Sequence, residues 1–336
     1  MIQLSAGASS ATGAGLPDQP ANNLGFDLPI VDAHHHFWRL SAGHYPWLSD
    51  RYDPTFFLGD YRELCSDFLL NAYSKATSGF RIVSSVHVEA ERSRNEQVAE
   101  TAFLTDLHHQ TGRPDAIIGH VYFVQPDCAD ILARQAEFAL VRGIRSKPKT
   151  APTPADRVNG EPGSMQDEHW LAGYALLERH GLSWDLRVPY WELEAAAKVA
   201  RAFPAIPVAI NHLGLPTDRS GDALAVWRRG MLALAACSNV VVKVSQFGLA
   251  NGRWDSRSNI QVIREAIDVF GFERAMFGSN LPVAGLAGSF RDGIADILTA
   301  VPDATSSQLN RLFSGTATAF YRLQQAEEEQ ERPCNR

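Results

Sequence analysis

Short apolar and β-branched runs alternate with longer amphipathic stretches along this chain. Eight runs carry the first pattern: LPIVDA (28–33), RIVSSVHVEA (81–90), AIIGHVYFV (116–124), VRGIR (141–145), LSWDLRV (182–188), IPVAINHL (206–213), NVVVKVS (239–245) and RAMFGS (274–279). Between them, apolar residues recur at helical spacing. In NEQVAETAFLTDLHHQTG the stripe is Val98, Phe103, Leu104 and Leu107, and Gly112 is the stop. MQDEHWLAGYALLERHG ends at Gly181, and WELEAAAKVARAFP ends before Pro204. DALAVWRRGMLALAACS and SNIQVIREAIDVFG follow the same style. Strand and helix units in alternation predict a parallel sheet. Eight such units predict a closed (β/α)8 barrel of the TIM type rather than an open doubly wound sheet. The first run also lacks the GxGxxG of an open nucleotide-binding sheet and ends instead in three histidines.

The 336 residues suit one such barrel with insertions. We assign residues 26–325 to a single barrel domain, 1–25 to a flexible tail rich in Gly, Ala, Ser and Pro, and 326–336 to a charged C-terminal tail. The Pro- and Gly-rich segment SKPKTAPTPADRVNGEPGS (146–164) follows the fourth strand. At that position it reads as a lid or substrate loop, not a domain boundary. The charge of −7, without a basic stripe, argues against nucleic acid as a partner. No apolar run is long enough to span a membrane, and the N-terminus lacks the pattern of a signal peptide. Cys65, Cys128, Cys237 and Cys334 are scattered, as expected of free thiols in a reducing cytoplasm. The expected partner is a small-molecule substrate, with monomer and homodimer both open.

Barrel active sites lie at the C-terminal ends of the strands, so the chemistry is sought there. The first strand ends in His34, His35 and His36. Alternation along a strand puts His34 and His36 on one face, where two imidazoles can converge on one ion or oxygen, and sends His35 to the helix layer. The second strand ends with His87 and Glu89 on one face. The fourth ends in Arg145, with Lys147 beyond it. The fifth carries Asp185, the sixth ends at His212, the seventh in Lys243 and Ser245, and the eighth runs into Asn280. The bland alternative is that strand ends simply meet solvent. Among the tryptophans, most of which belong to the core, Trp38 is the best placed to stack on a substrate, and HYPWLSD (44–50) can form a pocket wall.

The motifs IVDAHHHFW, VRGIR, INHLG and FGSNLPV, in this order over residues 28 to 284, resemble the amidohydrolase superfamily, in the branch of sugar lactonases and pyrone-dicarboxylate lactonase. The resemblance implies a distorted (β/α)8 barrel and a hydrolase acting on a cyclic ester. It implies that His34 and His36 answer to the family's His-x-His, which holds a metal where one is bound, and His212 to its strand-six histidine. Two departures stand out. Asn280 occupies the place of an aspartate that serves as base and ligand, and strand five offers Asp185 where metal-dependent relatives have histidine. One divalent ion, zinc or manganese, and a metal-free site therefore both remain open.

The expected reaction is water attack on the carbonyl of a lactone, from a sugar acid or a small carboxylated ring. His34, His36 and His212 would polarise the carbonyl, and Arg145 and Lys147 would hold a carboxylate or hydroxyls. Because the Asn280 amide cannot ionise, Glu89 is the preferred proton acceptor, with Asp185 next and a neutral histidine as fallback. The rival functions are a metal-dependent decarboxylase or amide hydrolase on the same barrel, and a binding protein whose catalysis is impaired by Asn280.

Overall fold

The computed structural model describes residues 27–158 and 160–324. The expected 1–25 and 326–336 tails, and Cys334 with them, lie outside the described residues; Cys65, Cys128 and Cys237 are free thiols. Eight parallel strands form one sheet in chain order: β1 (Ile30–His35), β2 (Ile82–Val88), β3 (Ala116–Gly119), β4 (Val141–Ile144), β5 (Ser183–Leu186), β6 (Val208–Ile210), β7 (Val240–Val244) and β8 (Ala275–Phe277). Helices Leu70–Ala76, Gln97–Thr111, Cys128–Ala136, Glu168–Arg179, Leu193–Ala202, Gly221–Ala235, Ser256–Phe270 and Phe290–Ala300 follow the strands in turn. This is the (β/α)8 barrel that the alternation predicts. Several helices start where a short polar side chain caps the first turn: Asp167, Ser220, Asp255 and Ser289 each accept a backbone N–H.

The barrel closes over a distorted seam. Beyond β8, Asn280 N donates to His34 O at 2.6 Å and His36 N donates to Leu281 O at 2.8 Å. Asp32 fastens the same seam, accepting from Ser279 N at 2.8 Å and from Ser279 Oγ at 2.6 Å. Gly278 permits this approach, because a β-carbon there would lie 2.8 Å from His34 Cβ.

Strand alternation sorts the core into two layers. Ile117, Trp184, Val208, Ile210, Val240, Val242, Val244 and Phe277 belong to the large core shared with the helices. Val31, Ala33, Val86, Val88, Ile118, Ala209, Val241 and Met276 form a separate interior cluster. The chain's last described turns close that interior, since Ala317, Tyr321 and Leu323 belong to the same cluster. They do so from the N-terminal end of the strands, where Arg322 donates to Gly181 O just before β5.

The stripe expected on Gln97–Thr111 is only half apolar. Gln97, Glu100 and Thr101 are buried beside Leu104 and Leu107. Their polar atoms serve the mouth of the barrel: Glu100 accepts from Ala90 N at 2.8 Å, and Thr101 donates to Gln135 at 2.6 Å. Among the described residues no helix is long and apolar enough to cross a membrane.

Candidate active site

A cleft of about 590 Å³ opens at the C-terminal ends of the strands. It gathers five of the residues singled out from sequence: His36, Arg145, Lys147, His212 and Asn280. The other candidates for chemistry or substrate contact, His34, Glu89, Asp185 and Trp38, lie elsewhere. His34 is fully buried one layer below, its ring 4.4 Å from that of His212 and 5.1 Å from that of His36. Glu89 is buried behind Arg145, Asp185 is buried deeper in the barrel, and Trp38 is core. Trp38 donates to Ser66 O and backs Trp47, and it is Trp47, from the 44–50 segment, that lines the cleft. Among the described residues of the 146–164 loop, Lys147 alone reaches the cleft, while Ala151 is fastened to Trp191 and Glu192.

A bulge in β1 aims the histidines. Val31 and Ala33 face the barrel interior, so strict alternation would turn His34 and His36 outward. The β1–β2 register shifts between Asp32 and His35, and the extra residue restores both imidazoles to the interior. His35 faces the helix layer, against Phe37 and Tyr73. His87 is buried beside it, accepting from Phe37 N at 3.0 Å.

All three central imidazoles are neutral at pH 7. Burial pushes His34, His36 and His212 well below the usual 6.5, and the nearby cations add to the effect: Lys243 most for His34, and Arg145 most for His36 and His212. His36 Nδ1 donates to Val88 O at 2.6 Å, which leaves a lone pair on Nε2. That Nε2 lies 3.1 Å from the Asn280 amide, whose other end meets Gln246 at 2.6 Å. A neutral His36 requires Asn280 to present its NH2 group. Turning both amides satisfies this and also gives Gln246 Nε2 the partner it otherwise lacks. His212 Nδ1 sits 2.9 Å from Ser245 Oγ.

Below the imidazoles runs a polar column. Lys243 Nζ pairs with Asp185 and lies 3.5 Å from His34 Nδ1. Asp185 also accepts from Asn211 at 3.0 Å and from the Tyr321 hydroxyl at 3.1 Å. Burial lowers the pKa of Lys243, and Asp185 pulls it back. The carboxylate proposed as an alternative proton acceptor is thus saturated and out of reach of the cleft.

Glu89 is committed as well. Its Oε1 accepts from Arg145 Nε at 2.5 Å and its Oε2 from Glu91 N at 2.8 Å. Burial would raise its pKa, but Arg145, His120 and Lys147 outweigh burial and hold it at about 2. A carboxylate so acidic is a weak base at neutral pH. Among the polar residues of the cleft, sequence reasoning missed Glu91, Arg187 and Gln246. Arg187 shares the face of Asp185 in DLR, a signal that was available. It lines the cleft with no hydrogen bond or ion pair to any described residue, and burial and Arg145 push its pKa down to about 10. Gln246 had no signal, because its place depends on an unusual backbone. Glu91, His212, Leu215, Gln246 and Asn280 all line the cleft with φ between 53° and 58°. Left-handed backbone in non-glycine residues costs about 1 kcal/mol or more each and clusters at functional sites.

The donor set can be tested against a divalent ion. A histidine ligand offers one nitrogen to the metal and donates the other N–H to an acceptor. His36 meets this requirement. His34 does not, because the ammonium of Lys243 faces its Nδ1 and puts the ring proton on Nε2, which has no partner. Strand eight supplies an amide in place of a carboxylate. Among the described residues no group of three or more His, Cys, Asp or Glu side chains is arranged to hold a metal ion. The residues present do not fit a divalent ion.

Comparison with known proteins agrees with this architecture. The chain is 34% identical to an uncharacterised protein, y4mH, of Sinorhizobium fredii, over 88% of this chain and 99% of that one. It is 29% identical to an L-fucono-1,5-lactonase of Burkholderia multivorans, over 87% of this chain and 96% of the relative. A crystal structure of an amidohydrolase from Burkholderia multivorans, described with bound zinc, superposes with a TM-score of 0.71 at 27% identity, covering 88% and 99% of the two chains. The amidohydrolase family model matches residues 31–323. With the barrel, its seam and this mouth in place, the chain belongs to the amidohydrolase family.

Proposed function

We propose that this enzyme hydrolyses a lactone whose ring bears a carboxylate. The observation that carries the reading is Arg187, whose guanidinium makes no hydrogen bond or ion pair among the described residues and meets the charge of Glu89 only at a distance, in a cleft it shares with Arg145 and Lys147. A half-buried guanidinium without a direct partner is costly unless a ligand supplies the anion. The lactonase relatives support the reaction class.

Arg145 has Nε and one terminal nitrogen committed to Glu89, so its other terminal nitrogen is available to the lactone carbonyl oxygen. Each donor aimed at the developing oxyanion contributes about 3 kcal/mol. His212 is the base. With its Nδ1–H on Ser245, its Nε2 takes a proton from water as the water oxygen attacks the carbonyl carbon. When the ring C–O bond breaks, the same nitrogen returns the proton to the departing oxygen. His36, held by Val88, fixes the Asn280 amide, whose second N–H orients the water. Glu89 fixes Arg145 and takes no proton, and no step needs a metal ion.

D-Glucaro-1,5-lactone and D-glucono-1,5-lactone differ only in a carboxylate at C6 and make a matched test. The expected kcat/KM is at least about tenfold higher for the glucaro compound, and Arg187→Ala removes the preference, as loss of one charged contact should. Turnover of neither lactone would defeat the proposal. Equal turnover of both, unchanged by Arg187→Ala, would defeat the carboxylate assignment. Elemental analysis of the purified, untagged protein is expected to find well under one equivalent of zinc or manganese, with turnover unchanged by a chelator. One equivalent, with activity lost on chelation, would overturn the metal-free mechanism.

A further inference from the structure

Beside the reaction cleft lies a second, larger cavity of about 1170 Å³. The two share four lining residues: Trp47, Phe56, Glu91 and Lys147. The partition between them is therefore thin, two aromatic rings and one ion pair. Glu91 follows β2 and Lys147 follows β4, so their ion pair passes over the end of β3 and separates that sector from the barrel axis. The side chains of Lys147 and Glu91 are 31% and 43% exposed, and an ion pair between partly exposed side chains contributes little to stability. Glu91 is aimed there by a left-handed backbone, φ 58°, with its N–H on Glu89.

The second cavity has features of a built site. Arg94 lies 3.8 Å over the Tyr122 ring and makes no ion pair among the described residues. His120 Nδ1 is buried and has no hydrogen-bond partner. Trp47, Phe56 and Tyr61 also line it and pack together, the Trp47 and Phe56 rings stacked at 6.2 Å. Aromatic rings together with a few polar groups suit a ring that is flat on its faces and hydroxylated at its edge.

We infer that this cavity is a second subsite, binding a hydroxylated ring joined to the lactone, so that an extended substrate passes the Glu91–Lys147 partition and occupies both chambers. This rests on the lactone proposal above and extends it from one ring to two. The hydroxyls of the second ring would meet Arg94 and His120, and an oxygen of the link would replace Glu91 as the partner of Lys147.

Lactobiono-1,5-lactone is glucono-1,5-lactone with a galactosyl ring on O4, so the pair isolates the second ring. The expected kcat/KM is at least about tenfold higher for the longer lactone. Arg94→Ala and Tyr122→Ala should each bring that ratio towards one and leave turnover of glucono-1,5-lactone unchanged. Equal turnover of the two lactones, or a preference that survives both substitutions, overturns the inference. If neither lactone is turned over, calorimetry with lactobionate and gluconate separates the two ideas. Tighter lactobionate binding that depends on Arg94 upholds the subsite while the lactone proposal fails. Equal binding of the two acids overturns the subsite too.

Discussion

Replacing His212 by alanine is expected to lower kcat/KM by about a thousandfold, the middle of the range for a lost general base. The His212 ring lines the cleft, its Nδ1 rests on Ser245, and burial with Arg145 and Arg187 keeps it neutral. The pH profile gives an independent check. A base must be unprotonated, and the pKa of this group is lowered, so turnover is retained through neutral pH and falls only as pH drops below the usual 6.5. An acid limb at or above 6.5, or a loss of less than about tenfold in His212→Ala, would remove His212 from the proton-transfer step. Ser245→Ala should keep the limb but lower the plateau, because the ring loses the acceptor that fixes its tautomer.

The second large effect concerns stability. Lys243→Met is expected to cost about 3–5 kcal/mol in chemical denaturation, because it strands Asp185 in the barrel interior without its countercharge. Lys243 and Asp185 are both fully buried, and among the described residues only Asn211 and Tyr321 would remain on the carboxylate. Pairing Lys243→Met with Asp185→Asn should recover most of that stability, since no charge is then left unpaired. Turnover should stay low in the double variant, because His34, whose ring packs 4.4 Å from that of the base His212, still lacks the ammonium that faces its Nδ1. Nitrogen chemical shifts of the His34 ring would report the change of tautomer directly. Full activity in the stable double variant would show that Lys243 serves packing alone.

The barrel was legible because its strands are short, largely apolar runs that alternate with helices. His36, His212, Arg145, Lys147 and Asn280 were found by asking what each strand ends in, and the cleft brings them together. The rest depended on facts that a linear pattern hides. Strand alternation distinguishes His34 from His35, but it does not show that a bulge sets the whole group's direction. Glu89 looked like a free carboxylate because Arg145, 56 positions away, is brought to it only by the fold. Asp185 looked like a strand-end group, yet Arg187 two residues later takes the cleft and leaves Asp185 to Lys243. Trp38, directly after the histidines, is turned into the core, and the more distant Trp47 takes the wall.

Tyr321 adds a point about the order in which the enzyme becomes competent. It leaves the ribosome among the last described residues, yet its hydroxyl anchors Asp185, which holds Lys243 beneath His34. A nascent chain that has completed all eight strands therefore still lacks the stopper, at the N-terminal end of the strands, that completes its internal charge column. Fragments ending before Tyr321 would present the cleft residues without the support that tunes them.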